Sequence, residues 1–149
     1  MSNITITIND NDLMRGLHAL ASSAEDLTPA MRKIAATLSA ETSFNFEADG
    51  RPAWIPSVAA QDRSGQTLQK TGRLMNSINT RYDSSSAVIG TNIIYARIHQ
   101  MGGETGRNKS ISLPARPYLP VTAEDELSPE ATRSVLSAIQ RHLEAAARR

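Results

Sequence analysis

Residues 78–94 read INTRYDSSSAVIGTNII. Ile78, Tyr82, Val88, Ile89, Ile93 and Ile94 are β-branched or aromatic, Leu74 lies just upstream, and the polar run 83–86 (DSSS) interrupts them. Strand-type composition on both sides of an Asp/Ser cluster predicts a β-hairpin turning at 83–86. The flanking segments carry helical periodicity instead, so this stretch separates an α+β fold from an all-helical one.

Towards the N-terminus, GRPAWIPS (50–57) places two prolines around the only tryptophan, which keeps Trp54 out of a regular helix. The polar run 61–69 reads as a surface loop. Further back, Met31, Ile34 and Leu38 keep a 3–4 spacing, with Ala30 and Ala35 alongside. Thr28 as cap and Pro29 in the first turn start this helix, which should end before Asp49-Gly50. Leu13, Leu17 and Leu20, with Met14 and Ala21, predict an earlier helix. The two helices are expected to form a hairpin or to lie together on a sheet. Ile4, Ile6 and Ile8 alternate with Thr5 and Thr7, the period of a half-buried strand.

Towards the C-terminus, YARIHQMGG (95–103) predicts a short helical turn with Tyr95 and Ile98 packing inward. His99 and Gln100 offer hydrogen bonds to backbone or to a neighbour, and Gly102-Gly103 leads into a flexible loop ending at Ser110. LPARPYLP (113–120) is extended, because proline excludes its preceding residue from the helical region. Ser128 caps a last helix with Pro129 in its first turn and Glu130 favouring the dipole. Val135, Leu136, Ile139 and Leu143 form its apolar stripe, and Arg148 and Arg149 suit its negative end. Without repeats or a second core, residues 1–149 read as one small α+β domain with helices packed on an antiparallel sheet.

The chain has 149 residues, 40% hydrophobic, 21% charged and only 4% aromatic. An aromatic-poor core of this size is modest, and such chains gain stability by associating. With no cysteine, disulfides and thiolate metal sites are excluded. No apolar run approaches the roughly 20 residues that span a bilayer, and MSNITITIND lacks the pattern of a signal peptide. No membrane role is expected, and the protein reads as one made in a cytoplasm. The formal net charge of +1 hides an asymmetry. Between Arg63 and Val121 there are eight bases and two acids, whereas the preceding residues hold four bases and eight acids. Such a map suits a solvated basic face or a surface meeting an anion or an acidic neighbour.

Catalysis finds little support. His18, His99 and His142 share no metal-ligand spacing, so neither a metal nor another cofactor is expected. A small hydrolase would have to centre on His99, and no G-x-S-x-G elbow accompanies it. GETGRNKS (103–110) is not a Walker loop, because Asn108 and not glycine precedes Lys109. Nucleic-acid contact through the basic middle is open in a non-specific form, since no helix–turn–helix, zinc finger or RNP-like string occurs.

Four strings in order, FEADGRPAW (46–54), LQKTGRLMNSI (68–78), VIGTNIIYARIHQMGG (88–103) and LPARPYLPVT (113–122), resemble the phage virion morphogenesis family. These are the tail completion proteins of Mu-like and P2-like contractile-tailed phages. The strings cover about half the chain; the departures are the alanine between Pro52 and Trp54 and a short loop after Gly103. The resemblance implies a non-enzymatic virion protein, assembled in the host cytoplasm, that closes the head-proximal end of the tail or prepares it for head joining. It also implies a homo-oligomeric ring, commonly hexameric, with tail-tube and neck or connector proteins as partners. The alternative within this setting is a connector component touching DNA in the channel. Candidate contact residues are Trp54, Arg73, Arg97, His99, Arg107, Lys109, Arg116 and Tyr118. For Trp54 a local proline–tryptophan packing knot is the competing reading. The basic middle is expected to line a subunit seam or the channel, with Arg73, Arg97 and Arg116 as its test positions.

Overall fold

A computed structural model describes residues 11–22, 26–69, 71–124 and 126–147. The strand expected at Ile4–Ile8 and the arginines at 148–149 lie outside the described residues. Six helices run α1 (Asn11–Ser22), α2 (Thr28–Glu47), α3 (Val58–Asp62), α4 (Arg73–Asn76), α5 (Ala96–Met101) and α6 (Pro129–Ala147). Two antiparallel hairpins pair β1 (Asn79–Tyr82) with β2 (Ala87–Gly90), and β3 (Gly103–Thr105) with β4 (Ile111–Leu113). This is the α+β class expected, with a C-terminal helix.

The hairpin at 83–86 forms through its own side chain. The Asp83 carboxylate accepts from the backbone N–H groups of Ser85 and Ser86, both at 2.8 Å, and from both serine hydroxyls. Four donors stabilise the charged form and hold this exposed carboxyl below the usual range. Register pairs Thr80 with Ile89 and Tyr82 with Ala87, so these four share one face. Ala87 and Ile89 pack inward against the helices, while Arg81 and Val88 take the solvent face. Leu74 and Ile93, read as strand residues, instead lie in α4 and in a turn, where both are buried.

The helices do not form the expected α1–α2 hairpin. α6 packs against both, and Leu13, Leu20, Met31, Ile34, Leu38, Val135 and Ile139 make one buried cluster. Each such side chain contributes about 1.5–3 kcal/mol on burial. Met14, assigned to the inner face, is 38% exposed. Start signals differ in detail. Asp26, one position before the Leu27 cap, accepts from the Thr28 N–H and hydroxyl at 3.0 and 2.7 Å, so Asp26 does the capping assigned to Thr28. On α6 the expected cap holds: Ser128 Oγ accepts from the Ala131 N–H.

A second cluster joins Phe46, Trp54, Leu74, Ile93, Ala96, Tyr118 and Leu119, and Ile89 touches both clusters. Three of the chain's few aromatics meet here: Phe46 stacks on Tyr118 at 5.4 Å and meets Trp54 edge-on at 5.8 Å. α2 reaches this cluster by changing character along its length. Its apolar stripe fades at Glu41, as expected, but burial continues through Glu41, Thr42, Asn45 and Phe46.

Those buried polar groups are satisfied by the loop that follows. Arg51 donates to Glu41 Oε2 at 2.6 Å, to the Glu41 carbonyl and to Asn45 Oδ1. Ser134 of α6 donates to the other Glu41 oxygen at 2.6 Å. Gly50 makes the turn possible: at φ +97° a Cβ would lie 2.5 Å from the Trp54 ring. The run 61–69 is exposed over most of its length yet tied down. Gln66 and Gln69 donate to the terminal carbonyls of α2 at Glu47 and Phe46, and buried Thr67 accepts from Ser57 N–H.

Removing Arg51 strands a buried carboxylate. Arg51→Ala should lower unfolding free energy by about 3 kcal/mol, read as a drop in the urea midpoint at unchanged slope.

Candidate assembly surface

The segment 114–120 (PARPYLP) crosses the second cluster without regular secondary structure, so each of its polar groups needs a partner. Pro114, Pro117 and Pro120 remove three N–H donors at the outset. Gln100 Oε1 accepts from the Tyr118 and Leu119 N–H groups at 3.1 and 2.9 Å. Asn45 donates to the Tyr118 carbonyl, Trp54 Nε1 to the Pro117 carbonyl, and Arg116 N–H to the His99 carbonyl. The Tyr118 hydroxyl donates to the Ala96 carbonyl at 2.9 Å, and burial raises its pKa far above the phenol range.

These contacts sort the candidate residues. Trp54 is 6% exposed, Arg116 6% and Tyr118 0%, so all three serve the chain's own interior instead of offering a surface to a neighbour. Trp54 packs edge-on against Phe46 and donates to the Pro117 carbonyl, contacts outside the local 50–57 stretch. Arg116 Nε donates to the Ile55 carbonyl at 2.7 Å, a buried bond inconsistent with a seam or channel arginine. Arg73, Arg97, Arg107 and Lys109 are exposed. Among the described residues the ion pairs are Arg15–Asp12 and Arg51–Glu41, so these four cations and Arg81 stay unneutralised. They are spread along the chain over α4, β1, α5 and the β3–β4 turn.

His99 sits between the two groups. Its ring meets Tyr95 edge-on at 5.8 Å, and its Nδ1 is buried without a hydrogen-bond partner. Burial, and then the Arg116 charge, push its pKa below the usual histidine value. No carboxylate orients the ring and no hydroxyl nucleophile pairs with it among its described contacts, so the geometry is not that of a hydrolase base. The inward residues of α5 are Ala96 and Gln100, whereas Tyr95 is 40% exposed, reversing the expected orientation.

Gly102 ends α5 at φ +72°, where a Cβ would lie 2.7 Å from Ala115 N. The flexible loop expected next is instead the β3–β4 hairpin, capped by a 3₁₀ turn at Arg107–Lys109. Its strands pack on each other and on that turn, and on no other helix or strand to comparable extent. Residues 106–112 are all exposed, including Ile111 at 52%. The hairpin is an arm. Met101 at its root is also exposed, as are Ile94 and Tyr95 at the opposite end of α5, Ile94 at 86%. Part of the free apolar surface therefore lies in and around α5 and the arm; Ile55, Val58 and Val88 are exposed elsewhere on the chain. Sequence reading missed it because it assigned Tyr95 inward and left 102–110 without structure.

The chain matches the phage virion morphogenesis family over residues 8–144. It belongs to that family. It is 41% identical over 124 residues to Mu-like prophage FluMu G protein 2 of Haemophilus influenzae, covering 83% of this chain and 88% of that protein. It is 34% identical over 125 residues to protein G of Escherichia phage Mu, named as a candidate capsid assembly protein, covering 75% and 80%. No solved structure matches. This is a morphogenesis protein of Mu-like phage type. Among the described residues no helix is long and apolar enough to cross a membrane.

Two measurements check the site. Gln100→Ala leaves two buried amides without an acceptor and should cost roughly 2–5 kcal/mol of stability, seen in chemical denaturation. For His99, the unfolded chain takes up a proton near pH 6.5 while the native ring resists it. Stability is therefore lost as pH falls through about 6.5 towards the lower native value and is unaffected above it. The urea midpoint should fall more steeply between pH 7.5 and 5 for the native chain than for His99→Asn.

Proposed function

We propose that this chain acts late in tail assembly, as a homo-oligomeric ring that completes the head-proximal end of the tail and readies it for head joining. The observation that supports this best is the β3–β4 arm. A two-stranded hairpin is marginal by itself, and this one packs on no other helix or strand to an extent comparable with its own pairing, while exposing Ile111, Arg107 and Lys109. An element of this kind gains its packing from a neighbouring subunit. Along α5, Met101 at the arm's root and Ile94 and Tyr95 at the opposite end extend the contact, as expected of an interface core of aromatic and Met side chains rimmed by arginine. Six copies would match the sixfold tail tube, with tube and neck proteins as the facing partners. The resemblance to tail completion proteins implies both.

A second reading, a connector component touching DNA, rests on the unpaired exposed cations Arg73, Arg81, Arg97, Arg107 and Lys109. It requires duplex affinity that falls steeply with salt.

Replacing residues 103–112 by a short glycine–serine link should leave the body folded, within about 1 kcal/mol of the native chain, because the arm adds little to its packing. The same change should convert a ring, seen by sedimentation and negative-stain imaging, into monomers. A native chain that stays monomeric at all concentrations, or an armless variant that still forms rings, sinks the reading.

A further inference from the structure

A cleft of about 340 Å³ runs between α2 and α6, away from the arm in sequence, lined by Thr37, Phe44, Arg133, Ser137 and Arg141 among others. Its lining is largely polar, with Ala40 and Phe44 as the apolar members; Phe44 is 46% exposed, with the Arg51 guanidinium 5.7 Å from its ring centre. Its one carboxylate, Glu41, is buried and already bound by Arg51 and Ser134. The rim is positive, because Arg133 and Arg141 are exposed and make no ion pair among the described residues. Glu144, one turn beyond Arg141, accepts from Gln140 instead.

The complementary charge lies on the same chain. Just before α6 a tight turn is closed by the Thr122 N–H to Glu126 carbonyl bond at 2.7 Å and by the Val121–Leu127 bridge. Glu124 N–H also donates to Thr122 Oγ1. It presents Glu124 and Glu126, which are exposed and make no ion pair among the described residues. Two different unneutralised patches of opposite sign allow one copy's turn to meet another copy's cleft, the head-to-tail arrangement that closes into rings.

We propose that the α2–α6 cleft is a docking site for a second copy of this chain, receiving its 122–127 turn. Glu124 and Glu126 then pair with Arg133 and Arg141 of the receiving copy. This rests on the self-assembly proposed above but names a contact separate from the arm.

Charge reversal tests it. One variant carries Arg133→Glu and Arg141→Glu, the other Glu124→Arg and Glu126→Arg; all four positions are exposed, and circular dichroism melts check that both fold. Each variant alone should associate at least about tenfold more weakly than the native chain. An equimolar mixture should recover the native mass, because alternating copies restore opposite charges at every seam, and such a ring closes for any even number. If both variants assemble like the native chain, or the mixture stays dissociated, the cleft–turn contact is wrong while the ring stands. If the native chain never associates, both proposals fall. Loss of duplex DNA affinity in Arg133→Glu/Arg141→Glu with unchanged oligomers would make the cleft a nucleic-acid face and overturn the contact.

Discussion

The second cluster depends on one constraint: an irregular backbone segment, 114–120, passes through an apolar interior and must leave no polar group unpaired. Gln100 supplies a single acceptor for two consecutive amides, and Asn45 and Trp54 take the adjoining carbonyls. Each partner comes from a different part of the chain, so the segment also fixes α2, the 50–57 loop and α5 relative to one another. An unmade bond at any of these positions costs more than a made one contributes, because the desolvation is already incurred. The polar side chains thus set the geometry, and the aromatic stack of Phe46 on Tyr118 fills it.

This arrangement gives the family resemblance a physical meaning. All four strings that carry it end in the same place. FEADGRPAW delivers Phe46 and Trp54, and LQKTGRLMNSI delivers Leu68, Leu74 and Ile78. VIGTNIIYARIHQMGG brings Ile89, Ile93 and Ala96, and LPARPYLPVT brings Tyr118, Leu119 and Val121. What is shared is the interior knot. The arm beyond Gly103 and the α2–α6 cleft lie almost wholly outside those strings. Surfaces for partners therefore have to be read from exposure and charge, not from resemblance.

The same division explains what was legible in the sequence. Periodic apolar spacing located α1, α2 and α6, and the Asp83 serine turn announced its hairpin, because those signals are local. Arg116 and Tyr118 were legible only as a cation and an aromatic in a proline-rich stretch. Their burial depends on Gln100, His99 and Ile55, residues 17 to 61 positions away, which no local pattern reports. The reverse error concerns 102–110, where glycine and polar residues imply a loop although Glu104 and Thr105 pair with Ser112 and Ile111. Three-residue strands are too short for a period-2 pattern to stand out.

A subunit with an unpacked arm faces a hazard before assembly, since exposed strand edges pair with whatever edge they meet. The arm's tip carries Arg107 and Lys109, both exposed, against the single acid Glu104. Two arms approaching tip to tip repel, which disfavours arm-to-arm pairing between free subunits. An acidic or apolar surface on a neighbour's body carries no such penalty. Under the proposed assembly, the basic middle of the chain then acts less as a binding charge than as a filter. It leaves the exposed apolar residues at the two ends of α5, Ile94, Tyr95 and Met101, to supply the association energy once a permitted surface is met.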